Sequence, residues 1–208
     1  MNGACESSAK NQAAAQLKLK ILPATAKRWP DLETLFGQNG ACAGCWCMWW
    51  RLQRAEWVKQ KGPKNREALK KIVARNETPG LLAYAGKRPV GWCALAPREA
   101  YPRLDRSRIL KRVDEQPVWS VVCFFVAREF RRRGVTAKLI EAAVDYARKR
   151  GATIVEGYPV EPKQAGMPVV CAYTGLVSAF RKAGFIEVER RSKSRPIMRR
   201  VLTEALCR

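Results

Sequence analysis

Not one of the 208 residues is a histidine. That absence removes the commonest general base and a common zinc ligand, so carboxylates, tyrosines, cysteines or bound water must move any proton. Acidic residues are scarce as well: 18 stand against 40 Lys and Arg, a formal net charge of +22. A chain so basic draws polyanions at modest salt, whether nucleic acid, ribosomes, acidic lipid or a small ligand with several phosphates. The charges are spread along the whole chain and no nucleic-acid recognition module is evident, so nucleic acid is expected only as a non-specific partner of the basic surface. No apolar run approaches the ~18 residues of a membrane span, and the start lacks a charged-then-apolar leader pattern. The expected location is the cytoplasm, without a membrane partner. Internal repeats and low-complexity linkers are missing too. Residues 1–16 are polar and Ala-rich and are expected to form a flexible tail; 17–208 are expected to form one domain, as a monomer or a homodimer.

What the chain does have is a strand, a basic turn and a helix in immediate succession. Val121 to Val126 is an uninterrupted apolar run, as expected of a strand buried on both faces. After the turn, Val135, Leu139, Ala143 and Tyr146 recur at helical spacing, with charged residues on the opposite side and Gly151 as the stop. The turn between them lies where the first backbone N–H groups of the helix have no internal partner. Those donors, the positive helix end and the guanidinium groups of Arg131 and Arg133 all favour an anion, and Gly134 lets the main chain come close to it. The competing reading is a solvated charge run capping a surface helix.

Further signals surround this elbow. Leu17–Leu22 reads as a first strand, Thr25–Phe36 as a helix and Gly80–Pro97 as a hairpin with its turn at Gly86-Lys87-Arg88. Pro102–Val113 is expected to be a helix, Thr153–Tyr158 a strand and Thr174–Ala183 a helix. Gly184–Arg190 and Arg195–Leu202 are expected to close the sheet as an antiparallel pair. Arg131-Arg132-Arg133-Gly134-Val135-Thr136 resembles the Arg/Gln-x-x-Gly-x-Gly/Ala signature of the GCN5-related N-acetyltransferases (GNAT). Phe180-Arg-Lys-Ala-Gly-Phe185 is similar to that family's aromatic-x-x-x-Gly-Phe pattern, and the element order follows the family from about residue 17 to 203. Thr136 and Arg132 depart from the pattern, adding bulk where small residues are usual.

The resemblance implies an α/β fold with a mixed, mostly antiparallel central sheet of about seven strands, flanked by helices on both faces. It implies acetyl-CoA as co-substrate, its diphosphate held by Arg131, Arg132, Arg133, Gly134, Val135 and Thr136. The backbone of Phe124, Phe125 and Val126 would pair with the pantetheine arm. The implied activity is transfer of an acetyl or other acyl group to a primary amine. Alternatives are a catalytically silent CoA-binding regulatory module, or a basic nucleic-acid- or ribosome-associated protein.

Four tryptophans, Trp46, Trp49, Trp50 and Trp57, fall within twelve residues. In the resembled family this stretch walls the acceptor side of the cleft, so Trp49, Trp50 and Arg51 are candidates to grip an aromatic, cationic or carboxylate-bearing acceptor. Cys42, Cys45 and Cys47 have spacing that can gather thiolates around zinc, with Cys5 or Cys93 needed to complete a site; buried thiols are the alternative, and no metal is expected. Glu156, inside an apolar strand, is a candidate base, because burial raises a carboxyl pKa. The family's usual acid, a tyrosine in the last helix, is replaced by Phe180, which leaves Tyr173 or Tyr158 as substitutes. Pro159–Ala172 is a long connection able to close over the acceptor.

Overall fold

A computed structural model describes residues 17–162 and 172–202. Along the chain run β1 (Leu19–Pro23), α1 (Trp29–Phe36), α2 (Arg54–Gln60), α3 (Pro63–Ala74), β2 (Gly80–Ala85), β3 (Arg88–Pro97) and α4 (Pro102–Asp105). Then come β4 (Trp119–Val126), α5 (Val135–Arg148), β5 (Ile154–Gly157), α6 (Val177–Lys182), β6 (Ile186–Arg190) and β7 (Pro196–Val201). The seven strands form one sheet in the order β1-β2-β3-β4-β5-β7-β6. Only the central β4–β5 pair is parallel; every other neighbouring pair is antiparallel. This is the mostly antiparallel α/β fold expected.

Apolar residues on alternate sides of the strands feed two cores. On one face α1, α3 and the Trp46–Trp50 stretch pack over Leu82, Trp92 and Val122. On the other, Val135, Leu139, Ile140 and Ala143 of α5 join Phe180 of α6 over Leu81, Cys93, Val121 and Val155. Because β4 is covered on both faces, its sequence reads as a continuous apolar run rather than an alternation.

Two features of β4 position the site. Ala94 of β3 faces Cys123 while Leu95 faces Val121, so Val122 is an extra residue that bulges the strand. On its other side β4 meets β5 only at Trp119, Ser120 and Val121. Beyond that point β5 ends at Gly157 and the two parallel strands part, leaving Val122–Val126 without a strand partner on that side, its edge only partly taken by the Tyr173 carbonyl and Arg131.

The first helix begins with a 3-10 turn at Ala26–Arg28 before α1. The helix expected over Pro102–Val113 is confined to Pro102–Asp105. The reason lies in Arg98, whose guanidinium binds Asp105 Oδ1 and the carbonyl of Leu110, both at 2.8 Å, drawing the following segment into turns. Residues 163–171 of the long connection and the 1–16 tail lie outside the described residues. No helix among the described residues is long and apolar enough to cross a membrane.

Candidate active site

The basic turn has geometry that suits an anion. Gly134, at φ +79°, caps α5, and a Cβ placed there would meet nothing within 4 Å. The first bond of the helix runs from Lys138 N–H to the Gly134 carbonyl, so the N–H groups of Val135, Thr136 and Ala137 point out of its positive end. Arg132 takes the left-handed conformation (φ +60°) that glycine adopts freely, and so follows the expected loop path at the expense of some backbone strain. Arg131 turns inward, its Nε donating to the Val126 carbonyl at 3.0 Å, which ties the turn to the end of β4. Arg133 lies over the Phe130 ring at 5.5 Å.

From this elbow a cleft of about 1190 Å³ runs along the open edge of β4 to the tryptophans. Arg131, Arg132, Gly134, Val135, Thr136 and Ala137 line one end; Cys123, Phe124, Phe125 and Val126 line the middle; Trp49, Trp50 and Trp57 line the other end. Arg133 and Arg51 do not line it. Arg51 instead covers the Tyr101 ring at 4.8 Å.

Where β4 and β5 part, the chain from Tyr173 partly fills the space. The Phe124 N–H donates to the Tyr173 carbonyl at 2.6 Å, and Val160 and Leu176 form a parallel bridge. Ala127 N–H is bonded to the Val90 carbonyl on the β3 side. By the alternation of the ladder, Val126 N–H therefore faces the cleft. The Tyr173 ring is half-buried in the cleft wall beneath the Arg195 guanidinium, 5.8 Å away, and burial pushes its hydroxyl up to about 12.

A family model described as "Acetyltransferase (GNAT) family" matches residues 46–165, a span that holds both the elbow and the tryptophans. The chain belongs to the GNAT acetyltransferase family. Solved structures share the fold of this GNAT protein at low identity. The PaiA N-acetyltransferase of Thermoplasma acidophilum in complex with coenzyme A matches with a TM-score of 0.51 and 15% identity over 89% of this chain and 99% of that one. A GNAT acetyltransferase of Listeria monocytogenes matches with a TM-score of 0.56 and 8% identity over 89% and 96%. The NatC complex bound to Gag peptide and CoA matches at 0.51 and 11% over 89% and 99%. No curated protein matches the chain in sequence.

Within this GNAT fold, Glu156 does not line the cleft. It is 1% exposed, with Oε1 at 2.8 Å from Arg98 Nη1 and Oε2 at 2.6 Å from Arg199 Nε. The Tyr158 hydroxyl donates to Glu156 Oε1 at 2.7 Å and lies 2.8 Å from Ser120 Oγ. A buried carboxylate held by two guanidinium groups and a phenol, and absent from the cleft lining, is tied into an ion network rather than presented to an amine. Tyr158 is fully buried in the same network, so it too is removed from the acceptor. Phe180 is fully buried, packed at 4.9 Å against Phe185 and 6.1 Å against Phe124. Its hydroxyl-free ring fits that apolar setting, and the cleft is reached instead by Ser178, Ala179 and Lys182 on the other side of α6.

The cysteines do not gather as zinc ligands. Cys42 is exposed and Cys47 buried, Cys93 belongs to the opposite core layer, and Cys5 lies outside the described residues. Among the described residues no group of three or more metal-binding side chains is placed to hold an ion. Instead Cys47 donates to Cys123 across 3.6 Å and accepts from Trp92 Nε1 at 2.9 Å. Its hydrogen bond to the Cys123 sulfur, and then burial, raise the Cys47 thiol well above the usual thiol range. Lys182 and Cys123 are cleft residues that the sequence did not single out, and Trp57 stood out only as part of the tryptophan cluster. The spacing of 178 and 182 on α6 was the available clue for the lysine; Cys123 carries no local signal.

Proposed function

We propose that residues 17–208 act as an N-acetyltransferase domain that moves an acetyl group from acetyl-CoA to a primary amine. The observation that carries this reading is the single cleft joining an anion seat, an open strand edge and an aromatic wall. Acetyl-CoA supplies the thioester; this chain's residues hold it and position the amine. The outward N–H groups of Val135, Thr136 and Ala137, with Arg131 and Arg132, suit a diphosphate, and Lys182 at the cleft rim adds a further cation. The fit is good, because nothing occupies the space a side chain at Gly134 would take. An extended arm along β4 would use the Val126 N–H, since the Phe124 N–H is already bonded to Tyr173.

Transfer then requires a neutral amine, a donor to the developing oxyanion and a proton for the departing thiolate. With Glu156 engaged elsewhere, the acceptor enters as the free base or loses its proton to water. Tyr173, whose carbonyl is bonded to the Phe124 N–H and whose side chain lines the cleft, is the candidate acid, and burial keeps its hydroxyl protonated through the neutral range. Calorimetry with coenzyme A, followed by chromatographic detection of free coenzyme A from acetyl-CoA and an amine panel, tests the reading. Binding together with amine-dependent release is expected. Binding without release points to a silent CoA-binding module, and absence of binding overturns the proposal.

A further inference from the structure

The tryptophan wall has the composition of a cage for organic cations, yet its electrostatics are the reverse. A cation is held by the negative face of an aromatic ring, and a cation already seated there weakens the pull on a second. Arg103 lies over Trp49 with its guanidinium carbon 3.4 Å from the ring centroid, further fixed by its Nη1 bond to the Trp49 carbonyl at 3.3 Å. Lys61 lies over Trp57 at 4.7 Å. The two half-buried rings of the wall, which meet edge-on at 4.9 Å, are therefore both engaged by the protein's own cations.

Nor is there a carboxylate to hold a positive acceptor. No Asp or Glu lines the cleft among the described residues. The segment 163–171, between the lining residues Pro162 and Ala172, has none in its sequence. Nearby Glu161 is bonded to Arg190 at 2.7 Å, and Glu56, beside Trp57, to Gln60 at 3.0 Å. The surfaces that remain at this end are mainly indole rings, the sulfurs of Cys42, Cys45, Cys47 and Cys123, and the rings of Phe124, Phe125 and Tyr173. Burial holds the Cys45 thiol up at about 11, so it is neutral at ordinary pH. Flat, apolar and polarisable groups in a cation-bearing frame suit another aromatic ring, by edge-to-face and sulfur–aromatic contacts.

We infer that the acceptor is a primary arylalkyl amine whose non-reacting part carries no positive charge, and that polyamines and lysine-rich chains are excluded. The inference rests on the acyl-transfer reading and narrows its acceptor. The test uses the full chain saturated with coenzyme A, with 2-phenylethylamine, n-pentylamine and spermidine titrated in turn by calorimetry and then offered with acetyl-CoA. The aryl amine is expected to bind and turn over at least tenfold better than the alkyl amine, and spermidine worst. Trp49→Ala is expected to erase the aryl preference at least tenfold while Trp49→Phe keeps most of it; Arg103→Gln is expected to raise relative spermidine binding. Spermidine equal to or better than the aryl amine overturns the inference, as does an aryl preference unchanged in Trp49→Ala. Coenzyme A titrated alone, before any amine, reads the acyl-transfer proposal separately.

Discussion

Replacing Glu156 by glutamine distinguishes a base from a keystone. The side chain joins Arg98, Arg199 and Tyr158 at the point where β5 still pairs with β4, immediately before the strands diverge. Glutamine keeps the shape but removes the charge, leaving two buried guanidinium groups facing a neutral amide. Breaking one member of a buried ion network costs about 3–5 kcal/mol. The lower end applies here, because Arg98 retains Asp105 at 2.8 Å and Arg199 retains Asp114 at 2.6 Å. For a chain of this size about 3 kcal/mol lowers Tm by ~6–12 °C. Because the cleft does not touch Glu156, kcat of the folded variant at 20 °C is expected to stay within about twofold, whereas loss of a general base removes ~10²–10⁴. Differential scanning fluorimetry and steady-state release of coenzyme A give the two readings. A Tm shift under ~2 °C accompanied by a hundredfold fall in kcat would refute the reasoning and return Glu156 to the role of base.

Three further outcomes follow from other parts of the molecule. Gly134→Ala puts a methyl into the open space above the anion seat at φ +79°; coenzyme A affinity by calorimetry is expected to fall at least tenfold, and stability by about 1 kcal/mol, from left-handed strain. Gly157→Ala would bring a Cβ to 2.1 Å from the Phe180 ring, which is itself wedged against Phe124 and Phe185, so about 1–3 kcal/mol of overpacking is expected in urea titrations. Phe180→Leu in the same chain should restore part of that loss; no recovery would locate the strain elsewhere. Alkaline pH should destabilise the fold. Burial raises Cys45 and Cys93, and the bond to Cys123 with burial raises Cys47, above the ordinary thiol value of 9.0; burial raises Tyr84, Tyr101 and Tyr158 above the ordinary phenol value of 10.0. The folded state therefore keeps protons that the unfolded chain releases, so stability is full below those values and declines as pH rises through them. Urea midpoints should fall from about pH 9 upward, less steeply in Cys93→Ala; a flat profile to pH 11 would contradict the buried thiols.

What could be read in advance, and what could not, divides by distance along the chain. Val121–Val126, the helical stripe from Val135 and the turn between them are local patterns, and all three appear where the residues placed them. The bulge at Val122 is a mismatch between two strands and has no signature in one of them. Phe124's bond to Tyr173 joins backbone groups, so side-chain identity cannot announce it. Glu156 is the most instructive case. A carboxylate in an apolar strand signals that something unusual is nearby, but not whether the partner is a substrate or an arginine. Its two guanidinium partners stand 58 and 43 residues away, and only the fold brings them in. The tryptophans teach the same point with opposite sign: their density pointed to an aromatic wall, and Trp49, Trp50 and Trp57 do line the cleft, while the inferred charge preference rests on Arg103, 54 residues from the Trp49 carbonyl it binds. Residue type therefore gave the material of this cleft, and long-range contacts decided its chemistry. An acceptor assignment made from the tryptophans alone would favour a cation; the arginine and lysine stacked on them argue for a ring without one.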